Sequence, residues 1–208
     1  MANHSNIDLI KSYFEERFNL HGTSPRGVDW NSKASQEIRF DQLLKICNSS
    51  APLSILDYGC GYGALADYLV SKSYNADYYG YDIVEQMIIT ARKHHAGKHM
   101  RTFFADKDQL PVCDYVVASG IFNVRFNYSF EAWTEYVIGI LHHFNDLSRK
   151  GFSFNMLTKY SDADRMRTDL YYADPCFMFD YCKTNFTRSI ALLHDYPLFD
   201  FTILVHKE

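Results

Sequence analysis

From residue 54 onward the chain alternates short, continuously apolar runs with longer amphipathic stretches, and that alternation restricts its fold more than any other feature. The runs occupy residues 54–58, 78–81, 101–105, 115–118 and 152–156, followed by 190–194 and 201–205. Apolar residues at consecutive rather than alternate positions mark strands covered on both faces, the condition of a parallel sheet. Helical spacing fills the gaps: Leu65, Leu69 and Val70 after the first run, residues 84–95 after the second, and residues 131–147 after the fourth. In this last stretch Trp133, Tyr136, Val137, Ile140, Leu141, Phe144 and Leu147 form one stripe. Strand and helix in alternation predict an α/β sheet with helices on both faces. A turn is expected at 149–151 and a last helix at 174–186. The final two runs, joined by residues 195–198, predict a terminal hairpin.

Ahead of the first strand, Ile7, Ile10, Phe14 and Phe18 predict a helix over 7–18. Residues 21–27, with Gly22, Pro25 and Gly27, read as a shaped loop. A second helix is expected at 35–47. No linker separates this segment from the first strand. Residues 1–50 are therefore expected to form a helical lid on a single globular unit spanning 51–208.

Composition narrows the function classes. Of 208 residues 22% are charged and 47% hydrophobic, values that exclude a disordered chain. No apolar run reaches the roughly 18 residues of a membrane span. The first ten residues lack the basic and apolar regions of a signal peptide. The net charge of −4 comes without a Lys/Arg cluster, which disfavours duplex nucleic acid as a partner. Five scattered cysteines with no Cys-x-x-Cys spacing support neither a zinc site nor a disulfide framework, and no metal is expected. They point to a reduced, cytoplasmic setting. A small-molecule acceptor is the expected partner, and the sequence leaves a homodimer open.

The segment Asp57-Tyr58-Gly59-Cys60-Gly61-Tyr62-Gly63 falls between a strand and a helix. Glycines there allow a sharp turn and the close approach of a ligand, whether dinucleotide or nucleoside. Asp82 ends the second strand, where a ribose-binding carboxylate belongs. Asp106 follows the third. The glycines alternate at 59, 61 and 63 rather than as Gly-x-Gly-x-x-Gly, which speaks against a nicotinamide oxidoreductase.

Together these motifs resemble those of the class I S-adenosylmethionine-dependent methyltransferases. The residues carrying the likeness are 55–63, Tyr79-Gly80-Tyr81-Asp82-Ile83, Ala105-Asp106-Lys107 before Leu110-Pro111, and Asp114-Tyr115-Val116-Val117-Ala118-Ser119. The resemblance extends from residue 54 to the C-terminus. It implies a Rossmann-like seven-stranded, mostly parallel sheet with an antiparallel last strand. It implies S-adenosylmethionine as cofactor, with Asp57 and the backbone of Gly59, Cys60, Gly61 and Gly63 facing the methionine part. Asp82 would bind both ribose hydroxyls and Ile83 would pack on adenine. Asp106 would accept from the adenine amino group and Lys107 would offer its backbone. A carbonyl near Ser119 would face the cofactor ammonium, and Arg39 would reach the cofactor carboxylate. Residues 21–30 and 36–40 are also similar to the N-terminal element of a subgroup of that family.

For catalysis, ligands in such sheets bind outside the carboxyl ends of the strands. His94, His95, His99, His142, His143 and His206 end elements at the opposite edge, and His4 falls in a terminus expected to be loose. His21 and His194 remain as candidate general bases, with Asp29 a third candidate. Arg26, Asn123 and Arg125 are the candidate substrate-binding residues. The loop after the fourth strand lacks the Asn/Asp-Pro-Pro-Tyr/Phe motif of amino-group methyltransferases. The expected activity is O-methylation of a small polar metabolite such as a sugar or sugar nucleotide. The alternatives are an N-methyltransferase, an RNA or protein methyltransferase of the same fold, and a non-catalytic cofactor-binding subunit.

Overall fold

The computed structural model describes residues 3–47, 51–98 and 100–207; His99 lies outside them. Seven strands form one sheet: β1 (Leu53–Tyr58), β2 (Ala76–Tyr81), β3 (Arg101–Phe104), β4 (Cys113–Ala118), β5 (Ser148–Leu157), β6 (Ser189–Leu193) and β7 (Asp200–His206). Their order is β3-β2-β1-β4-β5-β7-β6. All run parallel except β7, which lies antiparallel between β5 and β6. Six helices accompany them: α1 (Asn3–His21), α2 (Lys33–Leu43), α3 (Ala64–Ser71), α4 (Glu85–His94), α5 (Phe130–Leu147) and α6 (Pro175–Asn185).

Side chains alternate across a pleated sheet, so each strand feeds two cores. Leu56 and Tyr58, Val116 and Ala118, and Ile203 and Val205 meet α5 and α6 on one face. Ile55, Val117 and Leu204 meet α2, α3 and α4 on the other. The α5 stripe is the clearest example. Trp133, Val137, Leu141 and Phe144 are fully buried, and each such side chain contributes about 1.5–3 kcal/mol on leaving water. The start of β1 is fixed to β4 by a reciprocal pair: Ser54 N–H donates to Asp114 Oδ2 at 3.0 Å and Asp114 N–H to Ser54 Oγ at 2.8 Å.

The N-terminal helices close the carboxyl edge of the sheet. α1 sets Ile10 among Tyr58, Tyr81 and the α5 residues, and Phe18 against Val84 and Met87. A 3₁₀ turn, Pro25–Val28, follows and ends on Asp29 in the left-handed region at φ 61°. α2 starts from a reciprocal cap, with Ser32 Oγ accepting from the Ser35 N–H at 3.1 Å and Ser35 Oγ from the Ser32 N–H at 3.3 Å.

Two expectations shift. His21 is the last residue of α1 rather than part of a glycine-rich loop, because the α1 pattern carries three residues past Phe18 before Gly22 ends it. The turn expected at 149–151 lies inside β5, where pairing with β4 slips between Cys113 and Tyr115. A bulge accommodates the turn-like residues without ending the strand.

Candidate active site

The chain winds from β1 outward to β3, then returns to β4 on the other side of β1. The connections leaving the carboxyl ends of β1 and β4 therefore run in opposite directions, and open α/β sheets bind ligands in that crevice. A cavity of about 380 Å³ occupies it. Its floor is the loop after β1, residues Asp82 and Ile83 after β2, and the loop from Ser119 after β4. Its roof comes from α1, α2 and residues 28–31.

The loop after β1 is tied across to β2: the Gly59 and Cys60 N–H groups both donate to Tyr81 O, at 2.7 and 2.8 Å. Gly59 sits at φ 85°, and a Cβ there would stand 2.2 Å from Ile121 Cγ2, so only glycine lets the loops after β1 and β4 touch. Asp82 accepts from Gly61 N–H through Oδ2 and from Val84 N–H through Oδ1, both at 2.8 Å. Burial pushes its carboxyl up to about 6 against the pull of those two amides. Asp57, also buried, accepts from Tyr78 Oη at 2.6 Å. Burial raises it to about 7; Asp82 adds to the rise and the Tyr78 bond opposes it. Two desolvated carboxylates on one wall are poised to receive donors and positive charge.

The roof is built from aromatic and charged side chains. Trp30 reaches the loop after β4, where its ring would lie 2.4 Å from a Cβ on Gly120, itself at φ 73°. The Arg39 guanidinium stacks 4.0 Å from the Trp30 ring, donates to Ser35 O at 2.8 Å, and pairs with the buried Asp200 at the start of β7. Arg39 Nε and Asp200 Oδ1 are buried without hydrogen-bond partners among the described residues. Asp29 accepts from Tyr13 Oη at 2.9 Å and from Arg17.

The cavity walls include Arg39, Asp57, Gly59, Cys60, Gly61, Asp82, Ile83, Ser119, Asn123 and Asp29 among the residues expected from sequence. Gly63 stands one step behind, capping α3. Others lie elsewhere. His21 caps α1 with its carbonyl bound by Ser24 Oγ at 2.9 Å, and does not line the cavity. His194 is exposed at the hairpin, near Tyr160 and Phe201. Asp106 and Lys107 are exposed beyond the cavity, and Asp106 caps a local turn by accepting from the Asp108 N–H at 3.0 Å. Arg26 is exposed outside it. Arg125 spends its donors on the carbonyls of Leu170, Tyr128 and Thr168, so it fixes a loop instead of meeting substrate.

The structure adds residues that sequence reasoning did not assign to the site: Arg17, Trp30, Gln36 and Arg167 on the walls, and Asn155 behind them. Asn155 Oδ1 accepts from Gly120 N–H at 2.7 Å, and its Nδ2 donates to Ser119 Oγ at 3.3 Å. An asparagine inside the apolar run Phe154-Asn155-Met156 was the available signal. Away from the cavity, Asp67, His94 and His95 bring ligand-type atoms within 4.8 Å of one another. Arg101 and Lys98 already pair with Asp67, which makes the group an ion-pair network.

Residues 55–151 match the family model described as a methyltransferase domain. A curated protein of Mycobacterium tuberculosis, provisionally named a methyltransferase, is 48% identical over 164 residues, covering 79% of this chain and 99% of that one. Human N-acetylserotonin methyltransferase, solved with SAM, superposes with a TM-score of 0.65 at 16% identity, over 100% of this chain; this chain spans only 60% of the human one. The 1,6-didemethyltoxoflavin-N1-methyltransferase of Burkholderia thailandensis gives a TM-score of 0.67 at 16% identity, over 100% of this chain and 91% of that one. The chain belongs to the methyltransferase family, in its class I S-adenosylmethionine-dependent branch.

Proposed function

We propose that the cavity holds S-adenosylmethionine along the β1–β2 wall and a small polar acceptor beneath α1, and that the protein methylates that acceptor. The observation carrying this reading is the pair of buried carboxylates, Asp57 and Asp82, facing one cavity across a glycine loop held to β2. The residues present suit the cofactor. Each Asp82 oxygen has spent one lone pair on an amide, leaving another for a ribose hydroxyl. Asp57 faces the space a cationic methionine end would take. Arg39 keeps one unpartnered N–H for a carboxylate. Ile83 and Met87 offer apolar wall to a base. The bound cofactor supplies a methyl group on a sulfonium for in-line transfer.

Of the segment expected as a lid, residues 1–50, the described part 3–47 acts as one in this reading, since α1, Trp30 and Arg39 complete the cavity; residues 1, 2 and 48–50 lie outside the described residues. The protein contributes alignment more than proton transfer. No histidine lines the cavity among the described residues, and both Asp29 oxygens are engaged by Tyr13 and Arg17. In this reading the acceptor atom reacts without a protein base, and positioning supplies the rate. The expected O-methylation of a sugar or sugar nucleotide loses Arg26 and Arg125 as support; a small polar acceptor remains.

Calorimetric titration of S-adenosylhomocysteine tests this. Asp82→Ala should weaken binding by about 10- to 100-fold, the worth of charge-assisted hydrogen bonds of about 1.5–3 kcal/mol. Unchanged affinity in the folded variant would remove Asp82 from the ribose site.

A further inference from the structure

Arg17 and Arg167 enter the same cavity from different elements, and the cofactor assignment proposed above uses neither. Arg17 lies on α1 and pairs with Asp29 through one terminal nitrogen; its Nε is buried with no partner among the described residues. Arg167 comes from the segment between β5 and α6, is exposed, and pairs with both Asp169 oxygens through Nε and Nη2. Tyr13 donates to Asp29, and both arginines act on its ionisation, as does its burial, which comes first and keeps the phenol protonated. The Arg167 pairing holds the Asp169 carboxyl below its usual range, and Arg125 adds to that. Arg17 and Arg167 thus each lean on one carboxylate, Asp29 and Asp169, and Arg17 Nε is left over as a donor at this end of the cavity. Asp29 ends the 3₁₀ turn in the left-handed region at φ 61°, which aspartate adopts readily, while binding both Tyr13 and Arg17.

We infer that Arg17 and Arg167 form an anion subsite, and that the acceptor bears a carboxylate or phosphate group. This deepens the proposed function and rests on it. Guanidinium groups match either anion with paired N–H donors. Aromatic and aliphatic walls at Phe14, Ile10 and Trp133 suit the rest of a compact acceptor. An acceptor of this kind is compatible with a cavity that offers no histidine base. Asp29 is then a positioning residue for Arg17.

The test uses the full chain saturated with S-adenosylhomocysteine, titrated with phenyl phosphate, benzoate and the neutral benzyl alcohol. At least one anion should bind about tenfold more tightly than benzyl alcohol. Preference for phenyl phosphate identifies a phosphoryl acceptor, and preference for benzoate a carboxylate. Arg17→Gln and Arg167→Gln should each erase most of that preference while leaving S-adenosylhomocysteine affinity unchanged. Arg17→Lys keeps the charge opposite Asp29 and should retain part of it. Should the glutamine variants unfold, the wild type still decides: raising sodium chloride from about 50 to about 500 mM should weaken the anion and spare benzyl alcohol. Anions that bind no better than benzyl alcohol, or that ignore salt and both substitutions, overturn the subsite. Failure of S-adenosylhomocysteine itself to bind would instead strike the cofactor assignment.

Discussion

Asp57 and Asp82 show how a residue's setting decides its chemistry. Both belong to strand ends that read directly from sequence, yet their raised acidities, about 7 and about 6, come from burial that only the fold supplies. Both acids release protons near pH 4 when unfolded and later when folded. The folded state therefore binds more protons between those values, and the ligand-free protein should lose stability as pH rises from about 4 through 7. A cationic ligand prefers the ionised acids, so affinity for S-adenosylmethionine should climb over the upper part of that range. Calorimetry from about pH 5.5 to 8 should show the climb in wild type and a flatter profile in Asp57→Asn. An identical profile in the variant would place the titration elsewhere. The histidines give the opposite case. Topology leaves His21 and His194 on the correct edge, but edge is not cavity: α1 runs on through residue 21 and carries His21 away from the walls. His21→Ala and His194→Ala should each leave kcat within about threefold of wild type, far short of the roughly 10²–10⁴-fold loss of a general base.

At the scale of elements, the glycine loop after β1 was legible because its signal is local: strand, glycines and helix follow one another in sequence. Its contact with Ile121 was not, since it joins loops far apart in the chain. Gly59→Ala places a methyl 2.2 Å from Ile121 Cγ2 at a positive φ. The clash and the backbone cost should lower stability by roughly 1–3 kcal/mol. The shift should appear as a lower thermal midpoint together with weaker S-adenosylhomocysteine binding. Ile121→Ala in the same chain should restore part of both, while a double variant no better than Gly59→Ala would assign the loss to φ alone. Arg125 carries the same lesson. A basic residue after β4 reads as substrate recognition from sequence, but its donors are matched to the carbonyls of Leu170, Tyr128 and Thr168, two of them more than forty residues along the chain. Long-range backbone partners leave no trace in local spacing.

For the whole molecule, the sheet was readable because a parallel strand buried on both faces needs consecutive apolar residues, and that need is written into β1, β4 and β5. The roof was readable only as helices. Where α1 would lie depends on Ile10 meeting Tyr58 and Tyr81, and on Phe18 meeting Val84 and Met87, contacts that cross most of the fold. If α1 and residues 25–31 are a lid, ligand binding should couple to them although the glycine loop lies dozens of residues away. Backbone amides there open by local unfolding, and a ligand bound beneath them should suppress that opening. Hydrogen exchange with and without S-adenosylhomocysteine measures it. Protection should rise in α1, in residues 25–31 and in the loop after β1, with β6 and α6 unchanged. Trp30→Ala, which removes the ring covering Gly120 and supporting Arg39, should reduce the gain in residues 25–31 more than in the loop after β1. Protection confined to the loop after β1 would show that the N-terminal helices merely cap the sheet.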